Sequence, residues 1–409
     1  MKALVVAGGI SQAALIKELK SRGIYTILAD RNPKAVAVPL ADAFFPVSTL
    51  DEEGLEALAL AQKVDLIITA CADQVLLVVA KLSEKLGLPC YIDYKTALSV
   101  SDKTYMKKIF AETGVPSSKH KVMARFDREQ VKDFSFPLVV KPVDSYSSRG
   151  VRKTTNWEET EKAFAEAVQI SRTKTALVEE FCEGEELTVD VYVEDGVAHV
   201  LAVSISDKIA DKDRFVIYRT KNPAPVSNDV MEKIKETAQK IAEGFHLTNS
   251  PMLIQMICDG ENISVLEFCA RTGGCIKYQL IKKTSGFDVI KAVVDLTLGQ
   301  KPHVGSMSAE NNYITNTFLY CHPGTFDHEE GFAELKAESI ISEYCIFAAP
   351  GAAYDSITCS GDRIGSFTVQ ADTIEELRSK HAVAIERVKA IDTNGNDMIR
   401  HDLIADLKY

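Results

Sequence analysis

The sequence predicts a mixed α/β protein that begins with a parallel sheet and continues into α+β structure. Strand and helix patterns alternate over the first ninety or so residues, which is typical of a parallel sheet with helices on its faces. From about Leu187 this pattern gives way to longer alternating strands, LTVDVYV and HVLAVSI. Two apolar runs on either side of DGEN, at residues 251–269, indicate a β-hairpin.

The first segment, residues 1–100, contains three strand patterns and three helix patterns in alternation. The strands are KALVVAGG, YTILAD and VDLIITA, which are short runs of apolar and β-branched residues. The helices are SQAALIKELKSRG, DEEGLEALALAQK and DQVLLVVAKLSEKLGLP. Together these elements predict an α/β domain resembling nucleotide-binding domains.

The middle segment, residues 101–300, opens with the short helix DKTYMKKIFAETG. A compact subdomain follows at about 118–182, and its helix starts at NWEETEKAFAEAV because Asn156 and Glu159 form a capping box. The last segment, residues 301–409, adds the strands YITNTFLY and RIGSFTVQA and the helix TIEELRSKHAVAIERVKA. The chain is therefore divided into three segments.

Composition and charge exclude several classes of protein. The 409 residues carry a net charge of −11, which argues against a nucleic-acid partner because binding to phosphate backbones needs a basic surface. No apolar run approaches the roughly 20 residues of a membrane span, and the N-terminus lacks a signal-peptide cleavage site. Nine scattered cysteines without a CxxC pair indicate reduced thiols. We expect a cytoplasmic protein with no membrane partner.

The hairpin places two candidate metal ligands opposite each other. If Gly260–Asn262 form a three-residue turn, Asp259 pairs with Ile263 and Gln255 lies directly opposite Glu267. Opposed side chains have Cβ atoms about 4.5–5.5 Å apart, close enough for two oxygen ligands to share a metal ion. The alternative is that Glu267 lies on the solvated face of an edge strand.

A second set of polar residues follows two strand ends. The run FPLVVKPVDSYSSRGV ends its strand at Lys141 and continues into a loop whose backbone N–H groups are little obstructed, as in loops that bind phosphate. The run LVEEFCEGEE places Glu179 and Glu180 at another strand end and Glu186 after a glycine. Such a strand and turn can offer backbone groups to a purine and a carboxylate to ribose hydroxyls.

The order of these motifs resembles that of the ATP-grasp superfamily of carboxylate–amine ligases. The motifs are SDKTYMKKIFAETGVP, PLVVKPVDSYSSRGV, LVEEFCEGEELTVDV and IQMICDGENISVLEFCARTGG. The resemblance covers about residues 1–300, and its relatives are the L-amino-acid ligase, carbamoyl-phosphate synthetase and phosphoribosylglycinamide synthetase branches. It implies an N-terminal pre-ATP-grasp domain, an ATP-grasp fold of two α+β subdomains with a mobile lid at about 118–182, and a C-terminal α+β extension.

The resemblance implies an activity and its cofactors. An amide or peptide bond would form between a small-molecule carboxylate and an amine through an acyl phosphate, with release of ADP and phosphate. ATP would bind with Mg²⁺ or Mn²⁺, and a homodimer is expected because members of the family are commonly dimers.

The resemblance also implies roles for matched residues. Lys141 and Arg271 would supply catalytic charge, with Arg271 at the acyl phosphate, and Gln255 and Glu267 would bind metal. The remaining matched residues would bind ATP. They are Lys103 and Lys141 at the phosphates, Ser147, Ser148 and Gly150 in the covering loop, Glu179, Glu180 and Cys182 at the purine, and Glu186 at the ribose.

Two features depart from the family pattern, the residue at position 269 and the composition of the loop after Lys141. Cys269 stands where the family usually has asparagine, and a thiol is a poor ligand for a hard cation. With the neutral Gln255, this leaves Glu267 as the clear protein carboxylate for metal, which puts the binding of two metal ions in doubt. The loop after Lys141 also has fewer glycines than is usual.

Other interpretations remain open at this point. Gly8, Gly9 and Asp30 suggest a dinucleotide-dependent oxidoreductase, although AGGISQAA lacks the G-x-G-x-x-G spacing. A non-catalytic ATP-binding regulator would carry the same nucleotide motifs. Lys208 and Arg219 are expected at the solvated surface. The pair of substrates is open, since dipeptide formation and synthesis of the phosphoribosylglycinamide type fit the same motifs.

Overall fold

The computed structural model describes residues 1–145, 149–209, 215–306 and 313–409. It confirms the mixed α/β class, with a parallel N-terminal sheet followed by antiparallel sheets. Within these ranges no helix has both the length and the apolar character needed to cross a bilayer.

The N-terminal sheet has four parallel strands in the order β3-β2-β1-β4. Three of its strands were predicted, whereas β3 was missed because three residues are too short to show a period. Its elements are β1 (Lys2–Val6), α1 (Ile10–Ser21), β2 (Tyr25–Ala29), β3 (Ala43–Phe45), α2 (Glu52–Gln62), β4 (Leu66–Ile68) and α3 (Asp73–Leu86).

Two short helices connect this sheet to the rest of the chain, α4 (Tyr94–Ser101) and α5 (Lys103–Thr113). Asp102 caps α5, since its carboxylate accepts a hydrogen bond of 2.7 Å from the backbone N–H of Thr104. Gly114 ends α5 with φ of 68°, a conformation that favours glycine. The cap fixes Lys103 as the first residue of the helix.

The predicted compact subdomain is an antiparallel sheet in the order β5-β8-β6-β7 with one helix. The Asn156 side chain caps the helix through the N–H of Glu159, as predicted, but the Glu159 carboxylate accepts its return bond from the N–H of Thr155. The elements are β5 (His120–Met123), β6 (Leu138–Pro142), β7 (Arg152–Thr154), α6 (Trp157–Ile170) and β8 (Ala176–Glu180).

The remaining elements build an eight-stranded antiparallel sheet, the helices around it and a small three-stranded sheet. They are β9 (Glu185–Glu194), β10 (Val197–Lys208), β11 (Ile217–Asn222), α7 (Asn228–Gly244), β12 (Ser250–Cys258), β13 (Ile263–Cys269), α8 (Lys277–Ser285), α9 (Val289–Thr297), β14 (Tyr313–Leu319), β15 (Gly324–Glu330), α10 (Phe332–Ala337), β16 (Glu343–Ile346), β17 (Ala353–Tyr354), β18 (Gly365–Ala371), α11 (Ile374–Arg387) and β19 (Lys389–Asp392).

The large sheet joins the predicted middle and last segments. Its order is β13-β12-β9-β10-β11-β14-β18-β16, so β14 pairs directly with β11 across the predicted boundary near residue 300. The helix α9 packs Val293 and Val294 into the core under the N-terminal sheet, beside Leu15 and Leu19 of α1. The division at residues 100 and 300 stays a prediction, and the segments share both sheet and core.

Arg219 is not at the surface, contrary to the sequence prediction. It is 1% exposed, and its guanidinium lies 2.7 Å from the Asp207 carboxylate on the neighbouring strand. It also donates to the backbone carbonyls of Ala405 and Asp406 at 2.9 and 3.1 Å. These acceptors offset the cost of burying the charge, so Arg219 ties the C-terminal residues to β11.

We expect Arg219→Met to destabilise the protein by about 3 kcal/mol, near the lower end of the range for a broken buried ion pair. The lower end applies because Lys221 still holds Asp207 at 2.9 Å. Chemical denaturation checks the value, with Arg31→Met at an exposed position as the control. Equal free energies of unfolding for the two variants would contradict the structural role of Arg219.

Candidate functional site

The hairpin of β12 and β13 brings Gln255 opposite Glu267, as predicted. The predicted turn is wrong by one residue, because Cys258 pairs with Ile263 where Asp259 was expected. The Asp259 carboxylate accepts from the N–H groups of residues 261 and 262 at 3.0 and 2.7 Å, which tightens the turn. A register shift between residues 255 and 256 restores the predicted pairing.

Glu267 is bound to Lys103 from the start of α5. The Lys103 Nζ lies 2.8 Å from Oε2 of Glu267 and donates to the carbonyl of Ser145 at 3.1 Å. Burial alone would raise the pKa of Glu267, but the charges of Lys103 and Lys141 outweigh it and lower this pKa. Glu267 is therefore ionised beside two ammonium groups.

Lys141 lies on β6 with its ammonium 2.6 Å from the Glu179 carboxylate of β8. The other oxygen of Glu179 lies 3.2 Å from Lys107 of α5, a residue that the sequence analysis did not single out. Burial by itself would raise the pKa of Glu179, yet the charges of Lys141 and Lys107 hold it at about 2. The carboxylate of Glu179 thus faces two lysines.

The predicted purine and ribose residues lie around a cavity of about 210 Å³. Glu186 lies 2.7 Å from Lys208, so Lys208 is at the site and its prediction as a solvated residue is wrong. The side-chain amide of Gln255 donates to Glu186 at 3.1 Å. The described residues lining this cavity include Lys103, Lys141, Glu179, Glu180, Phe181, Cys182, Gly184, Glu186, Lys208, Gln255 and Glu267.

Gly184 lets the strand after the purine residues approach the hairpin closely. Its φ is 132°, and a Cβ atom there would lie 2.3 Å from the carbonyl oxygen of Cys258. Gly150 has φ of 76° and packs on Pro142 and Ile170, between Arg149 and Val151, which both line the cavity. The predicted residues Ser147 and Ser148 lie outside the described residues.

A second cavity of about 470 Å³ adjoins the first. Lys103, Gln255 and Glu267 line both cavities and so mark their junction. Arg271 lines the larger cavity but is not among the described residues that line the smaller one. It forms a bidentate ion pair with Asp73, with hydrogen bonds of 2.9 Å from Nε and 2.7 Å from Nη2 to the carboxylate. The candidate site residues therefore line two adjoining chambers.

Asp73 lines the larger cavity and is a further candidate site residue, which was not predicted from the sequence. It begins α3 just after β4, at the carboxyl end of a parallel sheet, where ligands commonly bind. Burial would raise its pKa, but Arg271 lowers it, so the carboxylate stays ionised. The position of Asp73 after a strand of the parallel sheet could have indicated a binding residue. Its pairing with Arg271, 198 residues away, could not have been predicted from the sequence.

Two further cations of the larger cavity were also missed. Lys277 lies 3.0 Å from the buried Asp190 and donates to Ser204 at 2.9 Å. Arg363 lies over the ring of Phe318 with 3.6 Å between the guanidinium carbon and the ring centroid. Because each cation has a fixed position, the chamber can hold an anionic group in a defined orientation.

The side chains at the junction fit a metal ion that is bound by oxygen atoms, of which one carboxylate carries the charge. Glu267 and the amide oxygen of Gln255 are hard oxygen donors at the junction of the cavities. Burial raises the pKa of the Cys269 thiol well above its usual value, and a thiol is a poor ligand for a hard cation such as Mg²⁺. No cluster of three or more His, Cys, Asp or Glu residues suited to metal occurs in the described ranges.

The glycines near β1 form a tight turn. The N–H of Gly8 donates to the Asp30 carboxylate at 2.7 Å, and the N–H of Asn32 donates to the same group at 2.8 Å. Asp30 is thus engaged in the local backbone, which favours the structural interpretation of this motif over dinucleotide binding.

Comparison with known families identifies two domains. Residues 134–279 match the ATP-grasp domain, and residues 317–391 match the L-amino acid ligase C-terminal domain 2. The first of these contains Lys141, the residues predicted to contact a purine, the hairpin and Arg271. The second contains Arg363 and Phe318.

Curated relatives match at low identity and over part of their length. A formate-dependent phosphoribosylglycinamide formyltransferase of Shewanella frigidimarina is 28% identical over 256 residues, 60% of this chain and 62% of that protein. The carbamoyl phosphate synthase large chain of Clostridium botulinum is 25% identical over 296 residues, 70% of this chain and 27% of that protein. This chain thus spans less than two thirds of either relative.

Solved structures share the fold over almost the whole chain. An L-amino acid ligase from Bacillus licheniformis has a TM-score of 0.81 at 18% identity, covering 96% of this chain and 99% of that one. The biotin carboxylase domain dimer of the Hydrogenobacter thermophilus 2-oxoglutarate carboxylase, solved with MgADP and bicarbonate, has a TM-score of 0.79 at 18% identity, covering 97% and 91%. The chain thus contains an ATP-grasp domain at residues 134–279 and an L-amino acid ligase C-terminal domain 2 at residues 317–391, within a fold that it shares with these solved structures.

Proposed function

We propose that the protein is an ATP-dependent carboxylate–amine ligase that forms an amide or peptide bond through an acyl phosphate. The observation that carries the proposal is the junction of the two cavities at Lys103, Gln255 and Glu267. A phosphoryl group at this junction is within reach of a nucleotide in one chamber and a carboxylate in the other. The ATP-grasp domain supports ATP as the nucleotide.

Within the smaller chamber, Lys103 and Lys141 would hold the phosphates as point charges. Backbone groups near Glu180 and Cys182 would meet the purine, and Glu186 the ribose. In the larger chamber Arg271, oriented by Asp73, would meet the acyl phosphate with its remaining N–H groups. These roles are supported by the positions of the side chains around the connected chambers.

The chemistry follows from the nature of a carboxylate. Its negative charge repels an amine, and its oxygen is a poor leaving group. Transfer of the terminal phosphoryl group of ATP to this oxygen gives an acyl phosphate and ADP. The amine then forms the C–N bond, and phosphate departs with the bond electrons as the nitrogen loses a proton. Fixed positive charge from Lys141 and Arg271 would stabilise the negative charge that develops.

Glu267 and Gln255 would hold the metal ion, for which Mg²⁺ or Mn²⁺ fits the oxygen donors. Bound there, the ion supplies neutralising charge to phosphate oxygens. The Lys103 ammonium, 2.8 Å from Glu267, keeps the carboxylate ionised and oriented toward the junction. Because only one protein carboxylate of the described residues is available at the junction, the site favours the binding of one metal ion over the binding of two.

Cys269→Asn tests this interpretation of the metal site. The asparagine restores the family pattern and adds an oxygen donor beside Glu267, so we expect equal or tighter dependence of activity on Mg²⁺. Titration of ADP release against Mg²⁺ measures it, with Cys258→Asn, a thiol of the same hairpin, as the control. A clear loss of Mg²⁺ affinity in Cys269→Asn alone would mean that the thiol has a role of its own.

A screen of ADP release over pairs of carboxylates and amines tests the function. Amino-acid pairs come first, and glycine with phosphoribosylamine represents the purine-pathway alternative. Release of ADP that requires both substrates supports a ligase. Stabilisation by ATP and Mg²⁺ in thermal unfolding, with no ADP released by any pair, would favour a regulator, and stabilisation by NAD(P) alone would favour an oxidoreductase.

We also propose a homodimer in the cytoplasm, with small-molecule substrates. All nine cysteines are free thiols, which suits a reducing compartment. Light scattering of the purified chain measures the oligomeric state, and a monomer at micromolar concentration would contradict the dimer.

A further inference from the structure

Three buried charged side chains form a cluster beneath the smaller cavity, which we call the Lys107–Glu179–Lys141 triad. Glu179 lies 2.6 Å from Lys141 and 3.2 Å from Lys107. The side chains are 3% exposed for Glu179, 8% for Lys141 and 1% for Lys107. Solvent therefore screens these charges little, and each strongly affects the others.

Neutral groups hold the triad on the side away from the cavity. The Lys107 ammonium donates to Ser117 Oγ at 2.6 Å and to the Val265 carbonyl at 3.4 Å. The hydroxyl of Ser118 donates to Glu179 at 2.9 Å. These contacts fix the Glu179 carboxylate between the two lysines.

The members of the triad differ in their access to the cavity. Lys141 and Glu179 are among the described residues that line the smaller chamber, whereas Lys107 is not among them. Lys107 lies one turn after Lys103 on α5, below the residues that would contact ATP. Any effect of Lys107 on a ligand therefore passes through its neighbours.

The balance of charge in the triad depends on Lys107. Two ammonium groups and one ionised carboxylate leave one net positive charge, and Lys141 presents that charge to the cavity. Without Lys107, Glu179 and Lys141 would form a closed neutral pair at 2.6 Å. Phosphate oxygens would then have to compete with Glu179 for the ammonium of Lys141.

We propose that Lys107 is a positioning residue for ATP: by sharing Glu179 with Lys141, it leaves the positive charge of Lys141 available to the phosphates. This inference rests on the proposed function, since it takes the smaller chamber to be the ATP site. Burial lowers the pKa of Lys107, the attraction of Glu179 opposes this effect, and the charge of Lys141 adds to it.

Equilibrium titration with ATP and Mg²⁺ tests the inference directly. We expect Lys107→Met to weaken ATP binding at least about tenfold, as for loss of a buried charged partner, and to raise the KM for ATP. Lys108→Met is the matched control, since Lys108 is the next residue of α5 with 71% of its side chain exposed. Its affinity for ATP should equal that of the parent protein.

A double variant separates charge balance from structural damage. Because Glu179 is also predicted to contact the purine, Glu179→Gln alone is the reference for the loss of that contact. In the Glu179→Gln background Lys141 keeps its positive charge without Lys107, so we expect Lys107→Met to cost far less ATP affinity there than in the parent protein. An equal loss of ATP affinity on Lys107→Met in both backgrounds would overturn the inference.

Thermal unfolding of the variant and ATP binding by the parent protein distinguish a misfolded variant, a failure of the proposed function and a failure of the inference. If Lys107→Met does not fold, as judged by its thermal unfolding, Lys107→Gln replaces it, because the amide still donates to Glu179 but carries no charge. If the parent protein binds no ATP, the proposed function itself fails. If the parent binds ATP and the neutral Lys107 variant binds it within twofold as well, the inference alone fails.

Discussion

Glu267→Gln is expected to lower substrate-dependent ADP release by about 10²–10³-fold, the usual cost of losing a charge that acts in the transition state. The amide cannot pair with Lys103 as the carboxylate does at 2.8 Å, and it is a weaker ligand for Mg²⁺. A coupled assay of ADP with the best substrate pair measures the loss.

The control for this prediction is Glu261→Gln, an exposed glutamate in the turn of the same hairpin. It removes one negative charge six residues before Glu267 in the sequence, and we expect it to leave turnover unchanged. Thermal unfolding of both variants shows whether the hairpin is intact. Turnover of Glu267→Gln above half of the control value would refute the assignment of Glu267 to the reaction.

Lys141→Met is expected to lower kcat by about 10²-fold and to weaken ATP binding as well. Lys141 is the member of the triad that presents positive charge to the smaller cavity. In this variant Glu179 is still paired with Lys107, so the triad becomes neutral and no longer presents a positive charge to the smaller cavity. Steady-state kinetics at varied ATP separates the loss in kcat from the rise in KM.

The control for Lys141 is Lys121→Met, an exposed lysine on β5 of the same small sheet. Both substitutions remove one lysine from the subdomain, so a general effect of its charge would appear in each. An unchanged kcat and KM in Lys141→Met would mean that the phosphates are held elsewhere.

Local patterns predicted the elements that carry the site. The pairing of Gln255 with Glu267 was predicted by counting back from an assumed three-residue turn, and it is correct because a register shift between residues 255 and 256 offsets the error in that turn. The turn was wrong by one residue, since the Asp259 carboxylate binds two backbone N–H groups and a compensating bulge lies further along the strand. Such side-chain contacts to the backbone leave little trace in hydrophobic periodicity.

Partners that are distant in sequence were not predictable in the same way. Asp73 meets Arg271 across 198 residues, and nothing local to either residue indicates the other. In the pair Lys107 and Lys108, the sequence does not say which lysine faces inward, and the fold buries the first. Arg219 was predicted at the surface because a basic residue on a strand is usually solvated. In the structure its guanidinium is buried because it pairs with Asp207 and donates hydrogen bonds to two C-terminal carbonyls.

The continuous eight-stranded sheet connects the C-terminal segment to the wall of the smaller chamber. Ile217 lines both chambers from the start of β11, and β11 obtains its second set of ladder hydrogen bonds from β14. We expect substitutions in β14 that alter this pairing to shift the wall at Ile217, although β14 contributes none of the described residues that line the smaller cavity. A change at the paired edges of β11 and β14 therefore affects the middle and the C-terminal segments together.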